Sequence, residues 1–506
     1  MTNWPKSYPF ALIIALMALT PIGVLFSLAS DSAAFFDARN LTVLVNTLAL
    51  MLWTVIGSVL IGVPLAFFTA YVNIPFRRLF LILFAAPLAL PSYLGAFTLY
   101  FAFGRGGEIE SITGITTPSL EGLWGAALVM SLYTYPFVML TTRATLLSLD
   151  ASLVNAARTL GQTLFMSLWR IVLPRVINSI AAGALLSALY ALSDFGTPAI
   201  MGFDTFTRVI FVEYNAFGLS QAAMLSLQLM LIVVLVLFVE SRIRGDKERP
   251  GRHLTLWLPP WLSGTWLLSF MPIVLLSIFL PLGIFTLWLV REGAGDFDVT
   301  YAWNSAYASM LAAIAAVVLA VPVAHGAIAG KAGRVMERIS YLGFGVPGIV
   351  MGTALVYLGL QIPVLYQTLA LLVFAYVLRF LPLAVGTIRS TAENQDAGLV
   401  KAARVLGASP REAFMRITLP LTMRGMVAGA ALVFLEAMRE LPATLMLGPT
   451  GFETLATYLW RVYEAGYFGR AAVPGLLLVL LSGFGLVLML SGERRAEFSV
   501  SEDSRR

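Results

Sequence analysis

Residues 150–174 read DASLVNAARTLGQTLFMSLWRIVLP, and residues 396–420 read DAGLVKAARVLGASPREAFMRITLP. The two segments are 246 positions apart, and 13 of their 25 positions are identical. The likeness extends upstream, where Asn46-Thr47 and Pro64 are matched by Asn304-Ser305 and Pro322. A repeat of this kind predicts that the chain contains two copies of one structural unit.

Each of the two repeated loops, residues 150–174 and 396–420, carries the signals of a short helix followed by a glycine turn. Asp150 and Asp396 stand where an N-cap carboxylate accepts hydrogen bonds from unpaired backbone N–H groups. Gly161 and Gly407 stand about ten residues later, where a left-handed residue ends a helix. We therefore predict a helix of about ten residues, roughly 15 Å long, at the start of each loop.

A second helix is predicted after each glycine. In the second copy, Ser409 and Glu412 match a capping box, and Pro410 occupies the first helical position. Pro174 and Pro420 are then expected to open the next membrane span. The pattern favours a helix, a glycine turn and a helix, either docking on a partner or lying on lipid headgroups as an amphipathic connector.

The rest of the chain is that of an all-α membrane protein. It has 506 residues, of which 59% are hydrophobic and 12% charged. Since a span needs about 20 apolar residues, we predict twelve transmembrane helices near residues 10–29, 43–70, 79–103, 122–147, 177–201, 219–239, 264–290, 303–329, 338–360, 366–388, 424–447 and 471–491. The first could be a cleaved signal peptide, but its length and its counterpart at 264–290 favour a retained span.

Six spans in each copy give two pseudo-symmetric six-helix halves. Because the number is even, both halves start on the same side, and a two-fold axis along the membrane normal is expected. The predicted boundaries are a first half, a cytoplasmic linker, a second half and a cytoplasmic tail, at residues 1–245, 246–263, 264–492 and 493–506.

The distribution of charge sets the expected orientation. Most of the 33 Lys and Arg residues, including the run from Arg242 to Arg252, fall on one side of the predicted spans. By the positive-inside rule that side is cytoplasmic, which puts both termini in the cytoplasm. This pattern explains the net charge of +6 without nucleic acid as a partner.

Several chemistries are excluded by what the sequence lacks. There is no cysteine, and His253 and His325 are the only histidines, so a zinc or thiolate site is not expected. Residues 326–332, GAIAGKA, have three residues between the glycines where a phosphate-binding P-loop needs four, and Ala332 supplies no hydroxyl for magnesium. The chain is therefore expected to bind no cofactor and to perform no covalent chemistry.

At this point the repeated loops are recognisable, because they resemble the EAA loop of ABC importer permeases. Its Glu-Ala-Ala, glycine and Ile-x-Leu-Pro positions are matched, except for the glutamate, by Ala156, Ala157, Gly161, Ile171, Leu173 and Pro174, and by Ala402, Ala403, Gly407, Ile417, Leu419 and Pro420. Asn155 and Lys401 replace the glutamate, which leaves any ion pair of that residue in doubt.

The resemblance implies a type I ABC importer fold and partners outside this chain. In that family the loop couples the spans to ATPase subunits, so two copies of an ATPase that binds ATP and Mg, an extracytoplasmic solute-binding protein and membrane lipid are the expected partners. The whole chain looks like the fused permeases that import ferric iron, and fused permeases for thiamine or a phosphonate look similar. A proton-coupled secondary transporter is a rival class, but it does not explain two matched cytoplasmic loops.

Charged residues also fall within or near the predicted spans, where a lone charge is expensive and faces a cavity or a partner. They are Asp194, Arg379, Glu436, Arg439 and Glu440. One interpretation is a structural ion-pair cluster, and the other is that these residues line or gate a pathway. On the outer face, Asp204 and Glu453 lie in matched Gly-Phe-acid-Thr segments. They suit docking of a binding protein, or, as the alternative, ligation of a hard metal ion.

Overall fold

The computed structural model describes residues 7–29, 38–243, 254–256, 259–393, 395 and 397–483. Asp396, residues 246–253, 257 and 258 of the predicted linker (His253 among them), residues 484–491 of the last predicted span, and the predicted tail lie outside them. Within the described residues the fold is helical, with one isolated parallel β-bridge between Val72 and Leu256. Nine of the described helices are long and apolar enough to cross a membrane, and the number is 11 if each of two bent pairs is one span.

The helices of the first half are α1 (Tyr8–Ala29), α2 (Ala38–Tyr71), α3 (Arg77–Leu88), α4 (Ser92–Ala102), α5 (Glu108–Thr113), α6 (Gly122–Ser148), α7 (Ala151–Thr159), α8 (Leu164–Ser193), α9 (Gly196–Ile200), α10 (Phe206–Asn215) and α11 (Leu219–Ile243). Those of the second half are α12 (Trp261–Glu292), α13 (Val299–Ala329), α14 (Lys331–Gly345), α15 (Gly348–Gln361), α16 (Leu369–Glu393), α17 (Ala397–Val405), α18 (Pro410–Met438), α19 (Pro442–Leu447), α20 (Leu455–Ala465) and α21 (Phe468–Gly483).

The prediction of a single continuous helix is wrong for two spans, at 79–103 and 338–360. Each is a pair of helices, α3 with α4 and α14 with α15, bent by 89° and 100°. Pro91 and Pro347 stand at the breaks. A proline disfavours the helical conformation of the residue before it, and then starts the next helix well.

The fifth and eleventh spans also differ from the prediction. α8 and α18 run from the glycine turns of the repeated loops to Ser193 and Met438 without a break. Pro174 and Pro420 therefore lie inside these helices, each just after a π-helical turn, rather than at the start of a separate span. The wider π turn leaves backbone groups without the usual i to i−4 partner, which suits a residue that has no N–H.

The same three helices form the centre of each half: α2, α6 and α8 in the first, and α13, α16 and α18 in the second. Gly183 and Gly429, matched under the 246 offset, let α8 and α18 approach their neighbours closely. A Cβ on Gly183 would lie 2.6 Å from the Val138 Cα atom, and one on Gly429 would lie 2.9 Å from that of Ala384. Close backbone approach at small residues is a usual basis of helix packing in membranes.

The first helix of each half packs on the opposite half. α1 packs against α13, α14 and α15, as well as α11. α12 packs against α4 and α6, where the Tyr133 hydroxyl of α6 donates to the Ser277 carbonyl at 2.9 Å. Its Phe270 ring also lies 5.5 Å from the Phe68 ring of α2. Each half therefore completes the core of the other, and the two halves meet along a long internal interface.

Candidate functional site

The repeated loops have the geometry that their sequences predict. The Asp150 carboxylate accepts a hydrogen bond from the Ser152 N–H at 2.9 Å. Gly161 and Gly407 have φ angles of 87° and 93°, in the left-handed region that side chains resist. The capping box of the second loop is present in both directions, between Ser409 and Glu412. Each loop is thus a helix, a tight turn and a second helix.

The alanine pairs of the loops do not form a uniform exposed surface. Ala156 and Ala402 are exposed, whereas Ala157 is buried and Ala403 is half-buried. The residue before each glycine is a large apolar group that is almost fully exposed, since Leu160 and Leu406 are 85% and 86% exposed. The sequence interpretation missed these matched leucines. Their exposed apolar side chains are of the kind that a partner protein buries on binding.

All five charged residues expected near the spans line one cavity between the halves, of about 100 Å³. We call it the central cavity. The other residues that line it are Pro91, Ser92, Tyr93, Tyr190, Ser193, Phe195, Gly196, Leu441 and Pro442. The hydroxyl-bearing residues of this list were missed at the sequence level, although Tyr190 and Ser193 match Glu436 and Arg439 under the 246 offset.

On the first-half side of the central cavity, Asp194 ends α8. One carboxylate oxygen accepts a hydrogen bond from the Ser92 hydroxyl at 2.7 Å, and the other accepts one from the Thr197 N–H at 2.9 Å. The carboxylate therefore ties the end of α8 to the start of α4 and to α9, while its residue still lines the cavity.

On the second-half side, Glu440 and Arg379 form a buried ion pair. Their closest nitrogen and oxygen atoms are 2.6 Å apart, and the side chains are 6% and 17% exposed. The Glu440 carboxylate also accepts a hydrogen bond from the Ala443 N–H at 3.1 Å. Gly348 makes room for the pair, since a Cβ there would lie 2.0 Å from the Arg379 Nη1 atom. The pair is thus a packed unit at the start of α15.

Arg439 joins the two halves across the cavity. It pairs with Glu436, three residues earlier on α18, and the Nε–Oε2 distance is 3.1 Å. It also donates to the carbonyls of Ala89 at 2.7 Å and Leu88 at 3.3 Å, which lie at the end of α3 in the other half. Carbonyls at a helix end have no partner within the helix and attract a cation.

A second cavity of about 280 Å³ continues from the central cavity. It shares Tyr190, Glu436 and Arg439 with it, and its other walls are mainly apolar, including Leu383 and Leu432. Leu383 lies one turn beyond Arg379 toward the end of α16 that precedes the second repeated loop. The open volume therefore extends from the central cavity toward the side of the repeated loops.

On the opposite face, Asp204 and Glu453 occupy matched positions before α10 and α20. Asp204 pairs with Arg208 at 2.7 Å, and Glu453 pairs with Arg461 at 2.9 Å. Their backbone carbonyls accept hydrogen bonds from the side chains of Asn46 at 3.0 Å and Asn304 at 2.9 Å. The two acids are thus fixed in place and partly neutralised by arginines.

The face that carries Asp204 and Glu453 also has a loop of the first half, between α4 and α6, that lines a cavity of about 900 Å³. Glu108 holds this loop to α12, because its carboxylate accepts from Trp288 at 2.7 Å and pairs with Arg291 at 2.6 Å. Glu110 accepts from the Gly106 N–H at 2.6 Å, and such hydrogen bonds to the ionised form lower the pKa of Glu110.

Among the described residues, no group of three or more His, Asp or Glu side chains is arranged to hold a metal ion. His325 packs its ring edge-on against Phe414, with the ring centres 5.4 Å apart. Asp204 and Glu453 each have an arginine as the charged partner. The described part of the chain thus contains carboxylates in pairs and caps rather than a preformed metal centre.

Comparison with known proteins identifies the family. The model of the family described as "binding-protein-dependent transport system inner membrane component" matches twice, at residues 62–244 and 316–497. An Fe(3+)-transport system permease protein from Haemophilus influenzae is 31% identical over 502 residues, covering 96% of this chain and 95% of that protein.

Two further relatives are more distant. A probable ABC transporter permease protein from Sinorhizobium fredii is 26% identical, covering 96% of this chain and 94% of that protein. A probable molybdenum ABC transporter permease protein from Haloferax volcanii is 29% identical, covering 44% of this chain and 83% of that protein. The half-length match agrees with two copies in one polypeptide. The chain belongs to the binding-protein-dependent transport system inner membrane component family, as a permease with two fused halves.

Proposed function

We propose that this permease carries ferric iron across the bacterial inner membrane, through a pathway between its two halves that includes the central cavity. The observation that carries the proposal is that the five charged residues expected near the spans all line this cavity. The fold is then that of a type I importer with twelve spans, six in each half, and with both termini in the cytoplasm.

The charges of the central cavity favour a cationic cargo. Three carboxylates, of Asp194, Glu436 and Glu440, face two guanidinium groups, of Arg379 and Arg439, so the ionised cluster carries one net negative charge. This balance does not suit a phosphonate. Because each carboxylate already has a partner, the cluster attracts a cation without chelating it, and weak binding allows the cargo to leave.

Energy for transport comes from separate ATPase subunits, and we propose that two copies dock on the two repeated loops. The matched exposure of Leu160 and Leu406 supports two equivalent contacts. A loaded binding protein docks on the outer face, where Asp204 and Glu453 are candidate contacts. Docking is favoured over metal ligation because each acid is paired with an arginine.

Deleting the gene and measuring uptake of radioactive iron from low-iron medium tests the substrate. We expect iron uptake to be lost and thiamine uptake to be unchanged. The wild-type gene should restore iron uptake, and an Asp194→Asn variant should restore it only in part. Normal iron uptake in the deletion strain, with loss of thiamine or phosphonate uptake, would overturn the iron assignment and leave the permease function intact.

Replacing Asp204 with Asn and Glu453 with Gln together separates docking from ligation. If the acids meet a basic surface of the binding protein, docking should weaken, and the effect should be larger at low salt, where exposed charges are least screened. Unchanged docking with failed iron transport would instead favour direct ligation.

A further inference from the structure

Two tyrosines on the outer face make reciprocal hydrogen bonds between the halves. The Tyr214 hydroxyl, on α10, donates to the Met446 carbonyl at 3.4 Å. The Tyr463 hydroxyl, on α20, donates to the Ile200 carbonyl at 3.2 Å. Met446 and Ile200 are matched under the 246 offset. The two bonds are thus one interaction repeated by the pseudo-two-fold axis, and each links an outer helix to the short helix of the opposite half.

An aromatic cluster lies beside these bonds and reaches the wall of the central cavity. The Phe195 ring lies 4.8 Å from the Phe211 ring and 5.0 Å from the Trp460 ring. Trp460 in turn lies 5.4 Å from Tyr463. Phe195 follows Asp194 directly in the sequence, and it lines the central cavity. The cluster therefore closes the cavity toward the outer face, while the second cavity extends it toward the repeated loops.

The helices that carry the tyrosines are anchored at their other ends, next to the candidate docking acids. The Phe206 N–H donates to the Thr47 hydroxyl at 3.0 Å, and the Leu455 N–H donates to the Ser305 hydroxyl at 2.8 Å. In α10, which runs from Phe206 to Asn215, the anchored Phe206 and Tyr214 are roughly 12 Å apart along the helix axis. A contact at the anchored end can thus move the tyrosine without entering the aromatic cluster.

We propose that Tyr214 and Tyr463 are a paired latch that keeps the outer gate closed, and that docking of the binding protein on the ends of α10 and α20 releases it. This inference rests on the proposed function for the identity of the docking partner. The latch itself is independent of the cargo, since it is formed by the two halves alone. It makes opening to the outside conditional on docking, so that ATP is not hydrolysed without cargo.

The test uses the full permease with its ATPase subunits in proteoliposomes. A single cysteine at Ser193 reports on the central cavity, and the absence of native cysteine makes it unique. Labelling by an impermeant thiol reagent from the outer side is measured without the binding protein. We expect about 2-fold faster labelling for Tyr214→Phe or Tyr463→Phe, and about 5-fold for the double variant, from the low end of the net strength of a hydrogen bond, because both bonds are long. ATPase activity without the binding protein should rise in parallel.

The matched control is Tyr458→Phe, on the same helix as Tyr463. Its ring stacks on Tyr301 with the centres 4.4 Å apart, and its hydroxyl makes no hydrogen bond among the described residues. Labelling should be unchanged in this variant. If the double variant fails to insert, the two single variants still carry the test. Unchanged labelling in both single variants would overturn the latch, whatever the result for iron uptake.

Discussion

Adding one methyl group at Gly348 should break the buried ion pair of the central cavity. Gly348 is the first residue of α15, next to the pair of Arg379 and Glu440. A Cβ there would lie 2.0 Å from the Arg379 Nη1 atom, 2.4 Å from the Glu440 Oε1 atom and 2.9 Å from the Pro442 Cγ atom. The methyl group of a Gly348→Ala variant therefore occupies space that both members of the pair now use.

The expected loss in free energy of unfolding depends on which atoms can move to relieve the overlap. Both charged groups are at the ends of flexible side chains, so the backbone does not have to shift, but the side chains must separate from 2.6 Å. Overpacking a well-packed site costs about 1–3 kcal/mol. A charge left without its partner in a buried site costs about 3–5 kcal/mol. Because both groups still line a cavity that can admit water, we expect a loss of about 1–3 kcal/mol, at the overpacking value.

The measurement is the thermal unfolding midpoint of the purified permease in detergent, together with cargo uptake in cells. Gly283→Ala is the matched control, because Gly283 lies in α12 and has no atom within 4 Å of an added Cβ. Alanine in a helix interior is favoured over glycine by about 0.5–1 kcal/mol, so the control should be unchanged or more stable. An unfolding midpoint for Gly348→Ala equal to or above that of Gly283→Ala would refute the reasoning.

Three further predictions concern the loops on the two faces. Single cysteines at Gly161 and Gly407 should react with an impermeant thiol reagent only from the cytoplasmic side, and one at Asp204 only from outside; labelling of Gly161 from outside would contradict the orientation. Gly161→Val and Gly407→Val permeases should insert in the membrane normally but lose ATP-coupled transport, since φ angles of 87° and 93° exclude β-branched residues. Normal uptake in both variants would contradict the docking role of the loops. Hydrogen bonds from the Gly106 N–H and the Thr116 hydroxyl lower the pKa of Glu110. These bonds therefore stabilise the loop between α4 and α6 at any pH above the ordinary pKa of 4.5, and the stabilisation is lost as the pH falls through the lowered pKa. Hydrogen exchange of the loop should therefore rise only in acid, and Glu110→Ala should remove that dependence.

The repeated loops were predictable because their structure is encoded locally. A cap, a glycine with positive φ and a capping box each involve residues within a few positions of one another. Gly161 has the expected positive φ angle, and Ser409 forms the expected capping box. The apolar spans were predictable for a similar reason, since the length of an apolar run reports directly on the thickness that it can cross.

The bends and the walls of the central cavity were not predictable in the same way. Pro91 and Pro347 occur inside apolar runs, where a proline permits either a kink or a sharp break, and only packing decides between them. Ser92 reaches Asp194 from 102 positions away in the chain. α1 and α12 each pack on the opposite half, and hydrophobic periodicity does not predict this. Both helices are apolar on all sides, so their sequences do not distinguish a face that meets protein from one that meets lipid.

The repeat explains why the two walls of the central cavity differ. Under the 246 offset, Tyr133 corresponds to Arg379 and Tyr190 to Glu436. If the permease were instead a symmetric dimer of two second halves, two such arginines and two such glutamates would surround one small cavity. Like charges would then lie close together across the two-fold axis. In a fused chain the two halves can differ at matched positions, so the second-half wall holds both ion pairs, whereas the first-half wall holds Asp194 and hydroxyl groups. The cavity then keeps a single net charge at a lower desolvation cost, while the matched outer helices and repeated loops remain two-fold symmetric, as the proposed docking of two ATPase subunits requires.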